Sequence, residues 1–360
     1  MHPYLKQKAI EATQNYGTQF SSSRAYVSLG LYDELETLLG VMYNAPVIVS
    51  ASTTLGHLSN IPVLVGSNDV VIMDEQVHSS VQTAVQLLKA RGIAIEIVRH
   101  NRVDMLEDRI IALKNTYNKI WYMADGVYSM YGDYAPLDDI MQLIYNYEQF
   151  NLYVDDAHGM SWAGKNGSGY AKTILPKHER VFIVTSLNKA FAAGGACMIY
   201  PNDDYRSMVR NCGGTLIFSG PVQPPMLGAA IASAEIHLSP EIIELQQQLE
   251  GKVKYFIQVA ESLNLPLKST NLSPIKFIKV GRPGVGYSMI RRLMEAGYYA
   301  NLSVFPSVSI NNTGIRLPIT NHLTMQDIDG ILYTIAEQLP LAMAEEGTAD
   351  AKVTRILKYA

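Results

Sequence analysis

Cysteine is scarce in this chain. Only Cys197 and Cys212 occur in 360 residues, and no CxxC or Cys/His ligand spacing is present. We therefore expect neither a disulfide framework nor a zinc site. Long apolar runs are missing as well: no stretch approaches the roughly 20 apolar residues that span a bilayer, and the polar N-terminal stretch lacks the apolar centre of a signal peptide. These features predict a cytoplasmic protein with reduced thiols.

Charge is also sparse. Charged residues make up 17% of the chain, the formal net charge is −4, and the 29 Lys and Arg residues form no cluster. A nucleic-acid surface would require such a cluster, so the sequence excludes this class of partner and leaves small anionic substrates bound by local arginines. Hydrophobic residues reach 48%, which is enough for a large core in one or two domains.

Short β-branched runs alternate with longer amphipathic stretches from Pro46 to Tyr200. This pattern is typical of a parallel sheet with crossover helices, and it predicts an α/β domain. Helices are expected at Val77–Ala90, Leu137–Gln149 and Met226–His237. The strand candidates are Val47–Val49, Val70–Met73, Ile95–Val98, Ile120–Met123, Leu152–Val154, Phe182–Val184 and Cys197–Tyr200.

A second, smaller α+β domain is predicted after Ser239-Pro240. We expect residues 46–239 to form the large domain and residues 240–360 the small one, with residues 1–45 packing on the small domain. The last twenty residues resemble an appended tail. Further elements are expected at Ile275–Val280, Ala300–Phe305 and Gly314–Ile319 for strands, and at Tyr287–Ala296 and Met325–Gln338 for helices.

Polar residues directly after predicted strands are the first candidates for chemistry, because ligands of parallel sheets bind beyond the carboxyl ends of the strands. Asp155 ends the run Leu152–Val154, and His158 follows three residues later. A carboxylate at this place can form a salt bridge with a protonated pyridine nitrogen. The alternative is that Asp155 caps the next turn and that His158 belongs to that turn.

Lys189 follows the apolar run 181–184 and is flanked by small residues and glycines. A lysine at the end of an apolar strand is costly unless it has a partner, and desolvation lowers the pKa of an amine as Schiff-base chemistry requires. The alternative is a loop lysine that extends to the surface.

Thr53 and Thr54 follow the first strand and precede a predicted helix. Backbone N–H groups and hydroxyls at a helix N-terminus bind phosphate, although plain helix capping by Ser52 or Thr53 explains the same residues. A second hydroxyl-bearing turn, Ser219-Gly220, is either a further part of that site or an ordinary proline turn.

Five segments complete the pattern. They are DGVYSMYGDYAPL from Asp125, VDDAHG from Val154, TSLNKAFAAGG from Thr185, FSGPVQPP from Phe218 and GIRLPITNHLT from Gly314. In this order and spacing, from about Ser23 to His322, the set resembles the α-oxoamine synthases. The resemblance implies a fold-type-I transferase that uses pyridoxal 5′-phosphate (PLP), with a mostly parallel seven-stranded sheet in the large domain and a smaller α+β C-terminal domain.

The resemblance implies a role for each matching residue. Lys189 corresponds to the lysine that forms the Schiff base and moves protons, and Asp155 to the aspartate that keeps the pyridine nitrogen protonated. His78 corresponds to the histidine that stacks on the ring, although it would otherwise be taken for a polar residue at a helix start. His158 and Ser129 correspond to the groups that bind the phenolic oxygen.

Phosphate contacts are implied for backbone amides at Thr53 and Thr54 and for the Ser186 hydroxyl. Ser219 and Gly220 correspond to a turn that reaches the phosphate from the neighbouring subunit, which implies a homodimer with shared sites.

Substrate binding is implied for two arginines. Arg316 corresponds to the arginine that binds the amino-acid carboxylate through two hydrogen bonds, the alternative being a surface arginine at a strand edge. Arg24 lies in the N-terminal substrate-side segment. The chain departs from the family at Asp125, a cofactor-site residue that is a glutamate in the usual pattern, and at Asn188, where the pattern has glycine.

The implied reaction is a decarboxylating condensation of an amino acid with an acyl thioester, either acyl-CoA or an acyl-carrier protein, which yields an α-amino ketone. The alternative is a class I/II aminotransferase on the same scaffold, which needs no thioester. A catalytically silent dimer partner is a third interpretation, and Lys189 argues against it because such partners characteristically lack this lysine.

Overall fold

The computed structural model describes residues 2–347, which divide into two units. The first unit comprises residues 2–128 and 134–243, and the second comprises 129–133 and 244–347. The division therefore falls at 243/244, whereas the sequence placed it at 239/240. Most of the predicted C-terminal tail lies outside the described residues. Within them, no helix has the length and apolar character needed to cross a bilayer.

A seven-stranded sheet forms the centre of the first unit. Its strands are β1 Val47–Ser50, β2 Val70–Asp74, β3 Ala94–Val98, β4 Ile120–Asp125, β5 Phe150–Asp155, β6 Val181–Ser186 and β7 Ala196–Ile199. The order across the sheet is β1-β7-β6-β5-β4-β2-β3. Strand β7 runs antiparallel to β1 and β6, and the other pairs are parallel. The predicted mostly parallel sheet is confirmed.

Helices cover both faces of this sheet, which is why six of its strands are buried throughout and have nearly continuous apolar sequences. The helices are α1 Pro3–Tyr16, α2 Gly30–Tyr43, α3 Thr53–Leu64, α4 Ser79–Ala90, α5 Val103–Leu113, α6 Leu137–Asn146, α7 Tyr170–Ile174, α8 Asp203–Cys212, α9 Gly214–Phe218 and α10 Pro224–His237. Helices α3, α4 and α8 share one apolar cluster with the sheet, and α2, α5, α6 and α10 share the other.

Helix α1 packs on α10 of the first unit. This corrects the expectation that residues 1–45 pack on the small domain. The physical reason is a glycine: a Cβ atom at Gly228 would lie 2.5 Å from the carbonyl oxygen of Lys8 and 2.7 Å from the Cβ of Ala12. The two helices therefore approach each other more closely than a larger residue at position 228 would allow.

The second unit is built on a three-stranded antiparallel sheet of order β8-β10-β9. Its elements are β8 Ile275–Gly281, β9 Asn301–Ser303, β10 Thr313–Pro318 and the helices α11 Glu241–Ser262, α12 Pro283–Glu295 and α13 Met325–Glu345. Apolar side chains of the helices cover the sheet and form one core. The predicted α+β character of this part is confirmed.

Candidate active site

A cavity of about 230 Å³ lies at the carboxyl ends of β1, β4, β5 and β6. Parallel strands bring their carboxyl ends to the same edge of a sheet, so residues far apart in sequence meet there. Eight of the predicted site residues line this cavity. The full lining is Ser52, Thr53, Thr54, His78, Ser80, Asp125, Asp155, Ala157, His158, Ser186, Asn188 and Lys189.

The first turn of α3 provides an anion site at one end of the cavity. Ser52 caps the helix, and its Oγ accepts a hydrogen bond from the N–H of Leu55 at 3.2 Å. Thr53 and Thr54 begin the same turn, where an α-helix leaves backbone N–H groups without intrahelical acceptors. These amides and the positive end of the helix dipole favour a phosphate group.

Two carboxyl groups lie side by side at the ends of adjacent strands, because Asp125 of β4 pairs in register with Asp155 of β5. Burial works to raise the pKa of Asp155, but the attraction and hydrogen bond of His57 bring it well below its usual range. Burial raises the pKa of Asp125 well above its usual value, and the charge of Asp155 adds to this effect. Asp155 is thus the carboxylate of the pair, and Asp125 the member that binds a proton more readily.

His57 was missed by the sequence analysis. It is completely buried on α3, and its Nε2 lies 2.9 Å from Oδ2 of Asp155. The position contains a usable pattern, because residues four apart lie on the same face of a helix and His57 follows Thr53 by four. A histidine one turn after Thr53 therefore lies on the same face of the helix, where it contacts Asp155.

His78 caps α4 at the rim of the cavity. Its backbone N–H donates to Oδ1 of Asp125 at 2.9 Å, and its Nδ1 accepts from the N–H of Ser80 at 3.2 Å. Burial lowers the pKa of His78, so the ring is neutral near pH 7. Because Nδ1 accepts, the ring proton is on Nε2.

Lys189 lies in a tight loop after β6. The loop is closed by Asn188, whose Oδ1 accepts the N–H of Gly195 at 2.6 Å. Gly195 has a φ of 105°, and a Cβ atom there would lie 2.8 Å from a backbone oxygen. Asn188, which differs from the family pattern, therefore holds the loop. Lys189 is exposed, so the expectation of a desolvated lysine is corrected: two residues separate it from the strand, and its side chain faces the open cavity.

Arg24 does not line the cavity. Its side chain is 9% exposed, and Nη1 donates to Oε1 of Glu36 at 2.8 Å and to the carbonyl oxygen of Val49 at 3.1 Å. The guanidinium lies over the ring of Tyr32 at 3.6 Å from its centroid. The predicted substrate contact is therefore replaced by a structural one, since this buried guanidinium joins its segment to α2 and β1.

Ser129 and Arg316 belong to the second unit, where the structure brings them together. Nε of Arg316 donates to the carbonyl oxygen of Ser129 at 2.7 Å. Burial lowers the pKa of Arg316, although a guanidinium stays charged at physiological pH. Among residues 2–347 no acceptor contacts its Nη groups, which form the edge that can bind a carboxylate through two hydrogen bonds.

The turn at Ser219 and Gly220 does not line the cavity either. Oγ of Ser219 donates to the carbonyl oxygen of Thr215 at 2.5 Å, and Gly220 is exposed. The neighbouring Phe218 is 86% exposed. The implied contact of this turn with a neighbouring subunit stays a prediction.

A larger cavity of about 670 Å³ lies at the opposite edge of the sheet, before β4, β5 and β6. It is lined by amides and by side chains of both charges, including Lys119 and Arg180. We place the site in the smaller cavity, because ligands of parallel sheets bind at the carboxyl ends of the strands and because the perturbed carboxyl groups lie there.

Protonation of His78 is expected to destabilise the protein, because its pKa is lower in the folded chain than the unfolded value of about 6.5. This cost is absent above pH 6.5 and grows as the pH falls below it. Asparagine keeps a capping oxygen and does not titrate. The urea midpoints of the wild type and of His78→Asn should therefore agree best at pH 8. Towards pH 5, the midpoint of the wild type should fall progressively relative to that of His78→Asn. If the urea midpoints of the two proteins differ by the same amount at every pH, the pKa of His78 is not lowered in the folded protein.

Comparison with known sequences identifies the family. The profile of the family described as aminotransferase class I and II matches residues 3–317. The 8-amino-7-oxononanoate synthase 1 of Bacillus subtilis (strain 168) is 32% identical over 346 residues, which cover 93% of this chain and 83% of that protein. The 8-amino-7-oxononanoate synthase of Symbiobacterium thermophilum is 31% identical over 345 residues, covering 93% and 84%.

Solved structures share the fold. Serine palmitoyltransferase of Sphingomonas wittichii has a TM-score of 0.86 at 22% identity and covers 96% of this chain and 85% of its own. The 8-amino-7-oxononanoate synthase of Francisella tularensis has a TM-score of 0.77 at 20% identity and covers 94% of each chain. The similarity to these structures establishes the fold-type-I architecture, and the sequence similarity establishes the family. The chain belongs to the aminotransferase class I and II family and, within it, to the α-oxoamine synthases.

Proposed function

We propose that this chain is a PLP-dependent acyltransferase that condenses an amino acid with an acyl thioester and releases carbon dioxide, to give an α-amino ketone. One observation carries the proposal: a single cavity combines a lysine amine, a buried carboxylate and a helix N-terminus. The likeness to 8-amino-7-oxononanoate synthases supports the same class of reaction.

The side chains of the cavity fit PLP. The first turn of α3 at Thr53 and Thr54 suits its phosphate, and the Ser186 hydroxyl lies in the same lining. The ionised Asp155 suits a protonated ring nitrogen, and Lys189 suits the aldehyde. When bound, PLP supplies an aldehyde that links covalently to amines and a ring that accepts an electron pair.

Three residues of the chain perform the steps of the reaction. Arg316 binds the carboxylate of the amino acid, and Nζ of Lys189 takes the proton from its α-carbon. That carbon then bonds to the thioester carbonyl, the carbon–sulfur bond breaks and the thiol leaves with a proton. The carboxyl group departs as carbon dioxide, and a proton replaces it. Asp155 remains ionised and would keep the ring nitrogen of bound PLP protonated.

Other residues are proposed to hold the cofactor. The neutral His78 would stack on the ring, while His158 and Ser129 would bind the phenolic oxygen. Asp125 lines the cavity and also fixes the start of α4 by accepting the N–H of His78.

We also propose that the active form is a cytoplasmic homodimer. The exposed turn at Ser219 and Gly220, together with the protruding Phe218, would contact the phosphate site of the partner. Phe218 and Gly220 are exposed and Ser219 is partly exposed, which supports the proposal.

Lys189 should be the residue that PLP modifies. After incubation with PLP, borohydride reduction and digestion, mass spectrometry should find the adduct on the peptide that contains Lys189. Lys189→Ala should lose the adduct and lower turnover at least about 100-fold. Lys276 is an internal control, because burial lowers its pKa to about 8 but leaves it no exposed surface. An adduct that persists in Lys189→Ala would contradict the assignment.

The reaction type is tested by a panel of amino acids, each measured with and without an acyl-CoA or acyl-carrier-protein thioester. We expect thiol release that requires both substrates, with one carbon dioxide released for each thiol. The family also contains aminotransferases. Conversion of the amino acid to a keto acid without any thioester would establish transamination and contradict the condensation.

Arg316→Ala should weaken amino-acid binding by at least about 2 kcal/mol, or roughly 30-fold, because two charge-assisted hydrogen bonds are removed. Arg316→Lys retains the charge but not the paired geometry, so its loss should be intermediate. The dissociation constant of the amino acid, measured by spectral titration of the PLP-loaded enzyme, is the readout. An affinity equal to that of the wild type would place the carboxylate elsewhere.

A further inference from the structure

A buried histidine contacts the carboxylate of the candidate site on the side away from the cavity. His57 has no exposed surface, and its two ring nitrogens have one partner each. Nε2 lies 2.9 Å from Oδ2 of Asp155, and Nδ1 lies 2.8 Å from the hydroxyl of Tyr153. His57 does not line the cavity, whereas Asp155 does. Of the two hydrogen-bond partners of His57, Asp155 is the one that reaches the cavity.

The hydrogen bonds fix which ring nitrogen carries the proton. The carboxylate of Asp155 only accepts, so Nε2 of His57 donates to it, and in the neutral ring Nδ1 accepts from the Tyr153 hydroxyl. Behind Tyr153, Nδ2 of Asn60 lies 3.4 Å from the Tyr153 hydroxyl, and the hydroxyl of Tyr200 donates to Oδ1 of Asn60 at 2.5 Å. Each group donates towards Asp155, so the chain has one direction and ends at that carboxylate.

The second oxygen of Asp155 is held by the backbone, since Oδ1 accepts the N–H of Ala157 at 3.0 Å. With one bond to each oxygen, the carboxylate has a fixed orientation. A leucine at position 57 would leave a buried charge with one partner fewer, and an unpaired buried carboxylate takes up a proton instead. The ionisable groups around Asp155 and His57 are His78, Asp125, Tyr153, Asp156 and Lys189.

We propose that His57 is a positioning residue that keeps Asp155 ionised and oriented towards the cavity, with Tyr153, Asn60 and Tyr200 holding its ring in the required tautomer. The inference rests on the proposed function in one respect, namely that the ligand facing Asp155 is PLP. The contact itself requires no ligand.

The experiment measures the dissociation constant of PLP for the full-length protein between pH 5.5 and 8.5, using intrinsic fluorescence. Relative to the wild type, His57→Leu should bind PLP progressively more weakly as the pH falls, by at least about tenfold at pH 5.5, because its Asp155 becomes protonated. His57→Gln retains a neutral donor and should fall between the two. A ratio of dissociation constants that does not change with pH would overturn the proposal.

Matched variants separate this effect from a general loss of packing. His237 is also a buried histidine with two hydrogen bonds, to the carbonyl of Ser233 and the hydroxyl of Ser161, and it does not line the cavity. His237→Leu should be destabilised but should keep the wild-type dependence of PLP affinity on pH. In an Asp155→Asn background, adding His57→Leu should produce no new pH dependence, since the group that titrates is gone.

A second arm needs no cofactor and remains informative if the wild type fails to bind PLP, a result that would contradict the proposed function instead. Without its partner, Asp155 has a folded pKa above the unfolded value of about 3.9, so its ionisation opposes folding as the pH rises. The urea midpoint of His57→Leu should therefore fall further below that of the wild type between pH 5 and 8. The widening should vanish in the Asp155→Asn background; if it persists there, or never occurs, Asp155 does not depend on His57.

Discussion

A carboxylate buried at the end of β5 is the constraint on which the rest of this site depends. Asp155 is 4% exposed, and an ionised group at such depth is tolerated only when hydrogen bonds and opposite charges compensate for its lost hydration. The compensation comes from His57 on α3 and from the backbone of Ala157. Asp155 is thus an ionised group within an otherwise apolar interior, and His57 and the backbone of Ala157 stabilise it there.

The sheet then decides what surrounds that carboxylate. Parallel pairing places Asp125 beside Asp155, so one carboxyl remains ionised at the expense of the other. The loops after β1 and β6 bring the helix N-terminus and the amine of Lys189 to the same edge. Asn188 occupies a position where the family pattern has glycine. Its side-chain oxygen accepts the N–H of Gly195 and so closes the loop that carries Lys189.

Much of this was predictable, because strands buried on both faces have continuous β-branched sequences and ligands bind beyond their ends. Six of the seven strands and the placement of Asp155 and Lys189 in one cavity followed from these two rules and the family motifs, while the partly exposed edge strand β3 followed from its β-branched residues alone. The features that the sequence analysis predicted wrongly or missed depend on contacts between residues far apart in the chain. The position of α1 is determined by Gly228, the burial of Arg24 by Glu36, and the importance of His57 by a strand nearly one hundred residues later.

In the proposed site, helix α3 has two roles on one face: the backbone amides at its start would bind the phosphate, and His57 supports Asp155 one turn later. The rise of an α-helix is 1.5 Å per residue, so the four residues from Thr53 to His57 fix about 6 Å between these two points. The helix therefore sets the distance between the groups that contact it at these two residues. A single inserted residue would rotate His57 by about 100° and remove it from Asp155. An insertion between Thr53 and His57 would therefore break the contact with Asp155, whereas an insertion in a loop outside the helix would leave this spacing unchanged.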